Sequence, residues 1–249
     1  MPPIASTAAR EAGPGSELLT VRGVSRRFGM LRALDGVSFG VGRGEILGLI
    51  GPNGSGKTTL FECVAGLLHA DAGTVMHDGA LVAPDRRKAF LFHLPDGIRP
   101  WPEQTVKWML SFVGSMFGSE TPAISRLVDA LHLEHLLGAR LGALSKGEHK
   151  RAMLASALLT PHPLLLLDEP FDGLDLRQTQ DAMALLTEQA RGGRTLFLSI
   201  HQLGDAARIC DRLVLLNGGK VVAEGTLPEL AALANTTSMA LDEIFLALT

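Results

Sequence analysis

The sequence predicts an α/β fold: a mostly parallel sheet, an antiparallel β portion near the amino terminus, and an all-helical lobe inserted into the chain. Three observations predict it. Continuous apolar runs of strand length recur, as strands buried on both faces require. Helical patterns separate several of these runs, the alternation that builds a parallel sheet. Between about residues 95 and 159 the periodicity is helical throughout, with no strand pattern among it.

Taken in order, residues 1–16 (MPPIASTAAREAGPGS) mix Pro, Ala, Gly and Ser and are expected to be a disordered tail. They carry no apolar core of the kind a signal peptide needs. From Leu18 to Val41 two short β-rich runs flank a polar, Gly-containing connection. Gly44–Ile50 (GEILGLI) is a buried-strand run that enters a Gly-rich turn and then a helical segment, Thr58–Leu68. Ala89–Leu94, Pro163–Asp168, Arg194–Ile200 and Arg212–Asn217 repeat the buried-strand pattern, and Arg177–Arg191 is a helical separator. The expected organisation is one folded domain over 17–235, a helical lobe over about 97–160 within it, and a short C-terminal helix over 236–249. Ala152–Leu167 is apolar for nearly the length of a bilayer span. Pro161 and Pro163 break it, so it reads as a helix, a turn and a buried strand.

The 249 residues are 46% hydrophobic and 20% charged, which excludes disorder as the main theme. A net charge of −3 offers no basic surface, so no nucleic acid is expected as a partner. Cys63 and Cys210 stand far apart in apolar stretches, as buried reduced thiols would. His132 and His135, spaced i, i+3 with no third ligand nearby, read as a surface helix end rather than a metal site.

Gly51-Pro52-Asn53-Gly54-Ser55-Gly56-Lys57-Thr58 fits G-x-x-x-x-G-K-[ST] between a predicted strand and a predicted helix. Glycines allow positive φ and turn N–H groups inward around phosphates. The helix that follows, opening with Thr58-Thr59, adds its own unpaired N–H groups and partial positive charge. Lys57 supplies a full charge to the β- and γ-phosphates, and the Thr58 hydroxyl is a ligand for Mg²⁺. An ordinary Gly-rich turn has no need to fill every fixed position. The pattern marks a P-loop NTPase core.

Asp168 ends a buried strand and is the expected second protein anchor for Mg²⁺. Glu169 follows at once and is placed to accept a proton from, or orient, an attacking water. An N-K-x-D motif, which a guanine-specific switch would need, is absent.

With these motifs in place the chain resembles the nucleotide-binding subunits of ATP-binding cassette (ABC) proteins, from about Leu18 to Leu233. Leu144-Ser145-Lys146-Gly147-Glu148 looks like the family signature, Phe171-Asp172-Gly173-Leu174-Asp175 resembles the D-loop, and His201 stands where the family keeps its switch histidine. Independently of any family, Ser145 with Glu148 three residues on is a capping box that opens a helix.

The resemblance implies a head-to-tail pair, homodimeric or heterodimeric with a second ABC subunit. In such a pair Ser145, Gly147, Glu148 and Asp175 face the ATP held by the other subunit, and His201 touches the γ-phosphate. Phe28 occupies the adenine-stacking place in a chain that has no tyrosine. Lys146 replaces a signature glycine and adds charge near a phosphate site, and Glu148 replaces glutamine and must point away from it. Asp96 falls at the position of the Q-loop residue, a candidate toward Mg²⁺ one methylene shorter than Glu. The implied function is Mg-dependent ATP hydrolysis as the motor of a transporter at the cytoplasmic face of the membrane, working through a separate transmembrane permease subunit. Trp101 and Trp108 are candidates for that docking surface, with core packing expected for Trp108. The tail Leu241–Thr249 resembles the endings of ABC-2 exporter subunits. The alternative is a non-transport ABC ATPase, for example in cluster assembly.

Overall fold

A computed structural model of the chain describes residues 17–249; the expected tail over 1–16 lies outside the described residues. The strands are β1 (Glu17–Phe28), β2 (Leu31–Gly42), β3 (Ile46–Ile50), β4 (Ala72–His77), β5 (Ala80–Leu81), β6 (Leu91–Leu94), β7 (Leu164–Asp168), β8 (Thr195–Ser199), β9 (Arg212–Asn217) and β10 (Lys220–Gly225). The helices are α1 (Lys57–Ala65), α2 (Val106–Phe117), α3 (Thr121–Ala130), α4 (Lys146–Leu158), α5 (Leu176–Arg191), α6 (Leu203–Ile209), α7 (Leu227–Leu233) and α8 (Leu241–Leu248). An antiparallel sheet runs β2-β1-β4-β5, and a second sheet runs β10-β9-β3-β8-β7-β6. In the second sheet every pairing is parallel except β9 with β10.

The apolar runs are explained by what covers the two faces. Side chains alternate across a strand, so Leu47, Leu49, Leu164 and Leu166 join Leu60, Phe61 and Val64 of α1 in one core. Ile46, Ile50, Leu165 and Leu167 join residues of α4 and α5 in the other. With both faces buried, no polar position interrupts the strand.

Local chemistry sets the boundaries where they differ from expectation. The two N-terminal runs are single long strands meeting at the turn after Phe28, with bulges taking up the irregular stretches. The helix after the Gly-rich loop stops at Ala65 because Gly66 adopts φ 80°, a left-handed cap. β6 begins only at Leu91, since Pro84–Ala89 form a 3-10 turn.

Trp108 corrects the expectation of core packing. α2 turns Val106, Met109, Leu110 and Gly114 inward, leaving Trp108 and Phe112 one turn apart on the outer face. Trp108 is 37% exposed, and its ring stacks on Phe112 with centroids 4.9 Å apart. Among the described residues, no helix is long and apolar enough to cross a membrane.

Candidate active site

The parallel register aligns strand ends along one edge, where open α/β sheets bind ligands. Leu94 pairs with Leu167, and Asp168 with Ser199, so the segments leaving β3, β6, β7 and β8 emerge together.

The loop after β3 is shaped by its glycines. Gly56 sits at φ 106° as the N-cap of α1, where a Cβ would meet the Ala33 carbonyl oxygen at 2.5 Å. No side chain caps α1, so its first-turn N–H groups are left to face the loop. Lys57 is buried, and its Nζ donates to the Gly51 carbonyl at 2.8 Å and the Pro52 carbonyl at 3.4 Å. Ser55 N–H closes the turn onto the Pro52 carbonyl at 3.1 Å. Its buried Oγ has no partner. An uncapped helix start, a buried ammonium and an orphaned hydroxyl together fit a polyphosphate.

Thr58 Oγ1 donates to Asp168 Oδ2 at 3.1 Å. One hydroxyl and one carboxylate on adjacent elements form an oxygen-only donor set, the chemistry Mg²⁺ takes. Glu169 adopts φ 51°, a left-handed backbone costly for a non-glycine residue, directly beside this pair. Its N–H donates to Ser199 Oγ and the Ser199 carbonyl, both at 3.1 Å. Burial pushes its carboxyl above the usual carboxylate range, although Lys57, His201 and a backbone N–H of His201 pull the other way.

Sequence reasoning misses Ser199. It is fully buried at the end of β8, and its hydroxyl donates to Asp168 Oδ1. A hydroxyl placed two residues before His201 at a buried strand end is the signal that could have found it.

The family model described as ABC transporter matches residues 34–172, more than half of the chain. The chain belongs to the ABC transporter family. It is an ATP-binding subunit of that family, whose ATP-binding proteins are ATPases that work with transmembrane permease subunits. Over 217 residues it is 38% identical to Nod factor export ATP-binding protein I of Burkholderia lata, covering 82% of this chain and 69% of the relative. An uncharacterized ABC transporter ATP-binding protein of Methanocaldococcus jannaschii is 30% identical over 85% of this chain and 79% of its own length. Among solved structures, an ATP-binding subunit of an ABC transporter superposes with TM-score 0.84 at 30% identity, over 93% of this chain and 99% of that one. The ADP conformation of another ATP-binding cassette gives 0.75 at 27%, over 92% and 98%.

The remaining candidates of this ABC subunit fall in several places. Ser145 caps α4: its Oγ accepts the Glu148 N–H at 3.4 Å, and Glu148 Oε2 accepts the Ser145 N–H at 2.8 Å. Glu148 is thereby folded back onto the helix start. Asp175 caps α5 in the same way with Gln178. Ser145, Gly147 and Asp175 line a hollow of about 800 Å³ together with His135, Arg177 and Asp181; Lys57, Thr58, Asp168 and Glu169 are not among its walls. Lys146 does not present a free charge, because its Nζ pairs with Asp172 Oδ2 at 2.5 Å.

Phe28, at the tip of the β1–β2 hairpin, is 46% exposed, with the Arg26 guanidinium 4.9 Å from its ring centroid. Asn53 and Thr59 lie on the loop and first turn of α1 with the rest of the cradle. Asp96 accepts from Lys150 Nζ at 2.6 Å. Among the described residues, no three His, Cys, Asp or Glu side chains form a metal-holding group. Neither cysteine is bridged, and burial raises the Cys63 thiol to about 11.

Proposed function

We propose that this chain is the Mg-dependent, ATP-hydrolysing motor subunit of an exporter at the cytoplasmic face of the membrane, acting as a pair of cassettes on a separate transmembrane permease. The observation that carries the ATPase reading is the meeting of the Gly51–Thr59 cradle, Asp168, Glu169 and His201 at one sheet edge. Glycine-rich backbone and Lys57 bind the phosphates, and Thr58 with Asp168 holds Mg²⁺. When bound, the ion neutralises charge on the phosphoryl oxygens. Glu169, its carboxyl raised by burial, takes a proton from the attacking water. His201 fixes the γ-phosphate, and Phe28 stacks on the adenine.

Ser145 and Gly147 open a hollow that the cradle does not border. A helix N-terminus outside the chain's own cradle fits the phosphates of a nucleotide carried by a second cassette, which supports the paired arrangement. For the permease, Trp101, Trp108 and Phe112 form one aromatic cluster, with centroid separations of 5.7, 5.6 and 4.9 Å, exposed on the lobe. Export is favoured by the relatives named for Nod factor export.

The test is co-expression with a multi-span membrane protein encoded beside this chain. Recovery from membranes with that protein, lost on Trp108→Ala with ATP binding kept, is the expected result. Recovery with soluble partners alone would overturn the transporter reading.

A further inference from the structure

The β1–β2 hairpin sets an aromatic ring beside the phosphate cradle. Phe28 pairs with Leu31 across the hairpin. Two residues further along β2, the Ala33 carbonyl oxygen lies where a Cβ on Gly56 would come within 2.5 Å. Extended chain advances roughly 3.4 Å per residue, so the gap from ring to cradle is on the scale of the ribose that joins a base to its phosphates. The ring is 46% exposed, and the Arg26 guanidinium carbon lies over it, 4.9 Å from its centroid.

Asp71 fixes that guanidinium. One of its carboxylate oxygens accepts from Arg26 Nη1 at 2.8 Å, and the other accepts the Arg27 N–H at 2.7 Å. The Asp71 N–H in turn donates to the Ser25 carbonyl at 2.8 Å. With side chains 22% and 41% exposed, the ion pair by itself adds little stability. Arg26 Nε is buried with no hydrogen-bond partner. A group placed for acceptors alone has no reason to bury an unpaired donor; a group laid on a ring does.

We propose that Arg26, held by Asp71, is a positioning residue that braces Phe28 for stacking by the base of the nucleotide. This rests on the reading of the site as an ATPase. The guanidinium occupies one face of the ring and leaves the other to the base. Its charge draws π density toward itself, which lowers the repulsion between the open face and the π cloud of a purine. A ring already ordered also loses less freedom on binding. The brace acts through a ring face, so it is indifferent to the hydrogen-bonding edge of the base and to the phosphates.

Isothermal calorimetry on the purified full chain compares MgATP, MgGTP and magnesium tripolyphosphate, which has phosphates and no base. Arg26→Met keeps the stem and removes the charge. We expect it to raise Kd for MgATP and MgGTP alike by ~3- to 10-fold and to leave that for tripolyphosphate unchanged. Asp71→Asn, which retains an acceptor for the Arg27 N–H, should shift both nucleotides in the same direction. Arg26→Lys should recover part of the loss. In a Phe28→Leu background, Arg26→Met should add nothing. Unchanged nucleotide affinity in Arg26→Met, or an equal loss for tripolyphosphate, overturns the brace. So does a loss confined to one of the two purines, which would make Arg26 a reader of the base edge. If the wild-type chain binds neither MgATP nor tripolyphosphate, it is the ATPase reading itself that fails.

Discussion

The Ser199 hydroxyl donates to Asp168 Oδ1 and, at the same oxygen, accepts the Glu169 N–H at 3.1 Å. One buried side chain on β8 therefore orients the candidate metal anchor and the backbone of the candidate base together. Ser199→Ala removes both bonds and leaves Asp168 Oδ1 without that donor. We expect a stability loss of about 1–3 kcal/mol and a fall in kcat of up to about a hundredfold from misplaced groups. Thermal melts and steady-state ATPase rates check it, and an unaltered kcat would remove Ser199 from the site.

Glu169→Gln is expected to keep MgATP binding while lowering turnover by about 10²-fold or more. It also carries a signed pH effect. Burial raises the folded-state pKa of Glu169 above its ordinary value of 4.5, so the folded chain holds this proton more tightly than the unfolded one. Its contribution to stability is full below that ordinary value and is lost as pH rises through the folded pKa. The glutamine variant should therefore melt at a higher temperature than the wild type at pH 7–8, with the gap closing near pH 4. The reverse ordering would contradict the burial effect.

Gly56→Ala places a side chain on a φ of 106° and a Cβ 2.5 Å from the Ala33 carbonyl oxygen. Left-handed strain alone costs roughly 1–2 kcal/mol, and the neighbour is backbone of β2, which yields poorly. ATP binding should weaken by about tenfold or more, read with a fluorescent nucleotide. Wild-type affinity in this variant would mean that the loop geometry is not what holds the phosphates.

Ser145→Ala removes a helix cap and is expected to cost about 1 kcal/mol of stability. Its larger effect should be on turnover at fixed nucleotide affinity, because the hollow it lines excludes Lys57 and Glu169. In the wild-type chain, specific ATPase activity should rise with protein concentration. A specific activity independent of dilution, and untouched by this substitution, contradicts the paired arrangement.

Features encoded by contiguous residues are legible in the amino-acid sequence. The Gly51–Thr58 loop, the apolar run ending in Asp168-Glu169 and the Ser145–Glu148 capping box each depend on neighbours within a few positions. Backbone conformation and helix capping are local, so the pattern carries the chemistry. Trp108 is misplaced by the same reasoning because helical spacing gives the separation of apolar residues but not which side faces the core. The tertiary structure chose Met109 and Leu110 and left Trp108 and Phe112 outside.

The sequence by itself thus determined the kind of site: a phosphate-binding loop, an acidic strand end and a second helix start suited to an anion. Only the tertiary structure decided which groups serve it. Ser199 reaches Asp168 across 31 residues of sequence, Thr58 across 110, and Lys150 reaches Asp96 across 54. Those partners are set by parallel strand register and by the seating of α4 on the sheet. Both arise from burial of apolar faces, a force that fixes how far residues lie from one another in space and is indifferent to their separation along the chain.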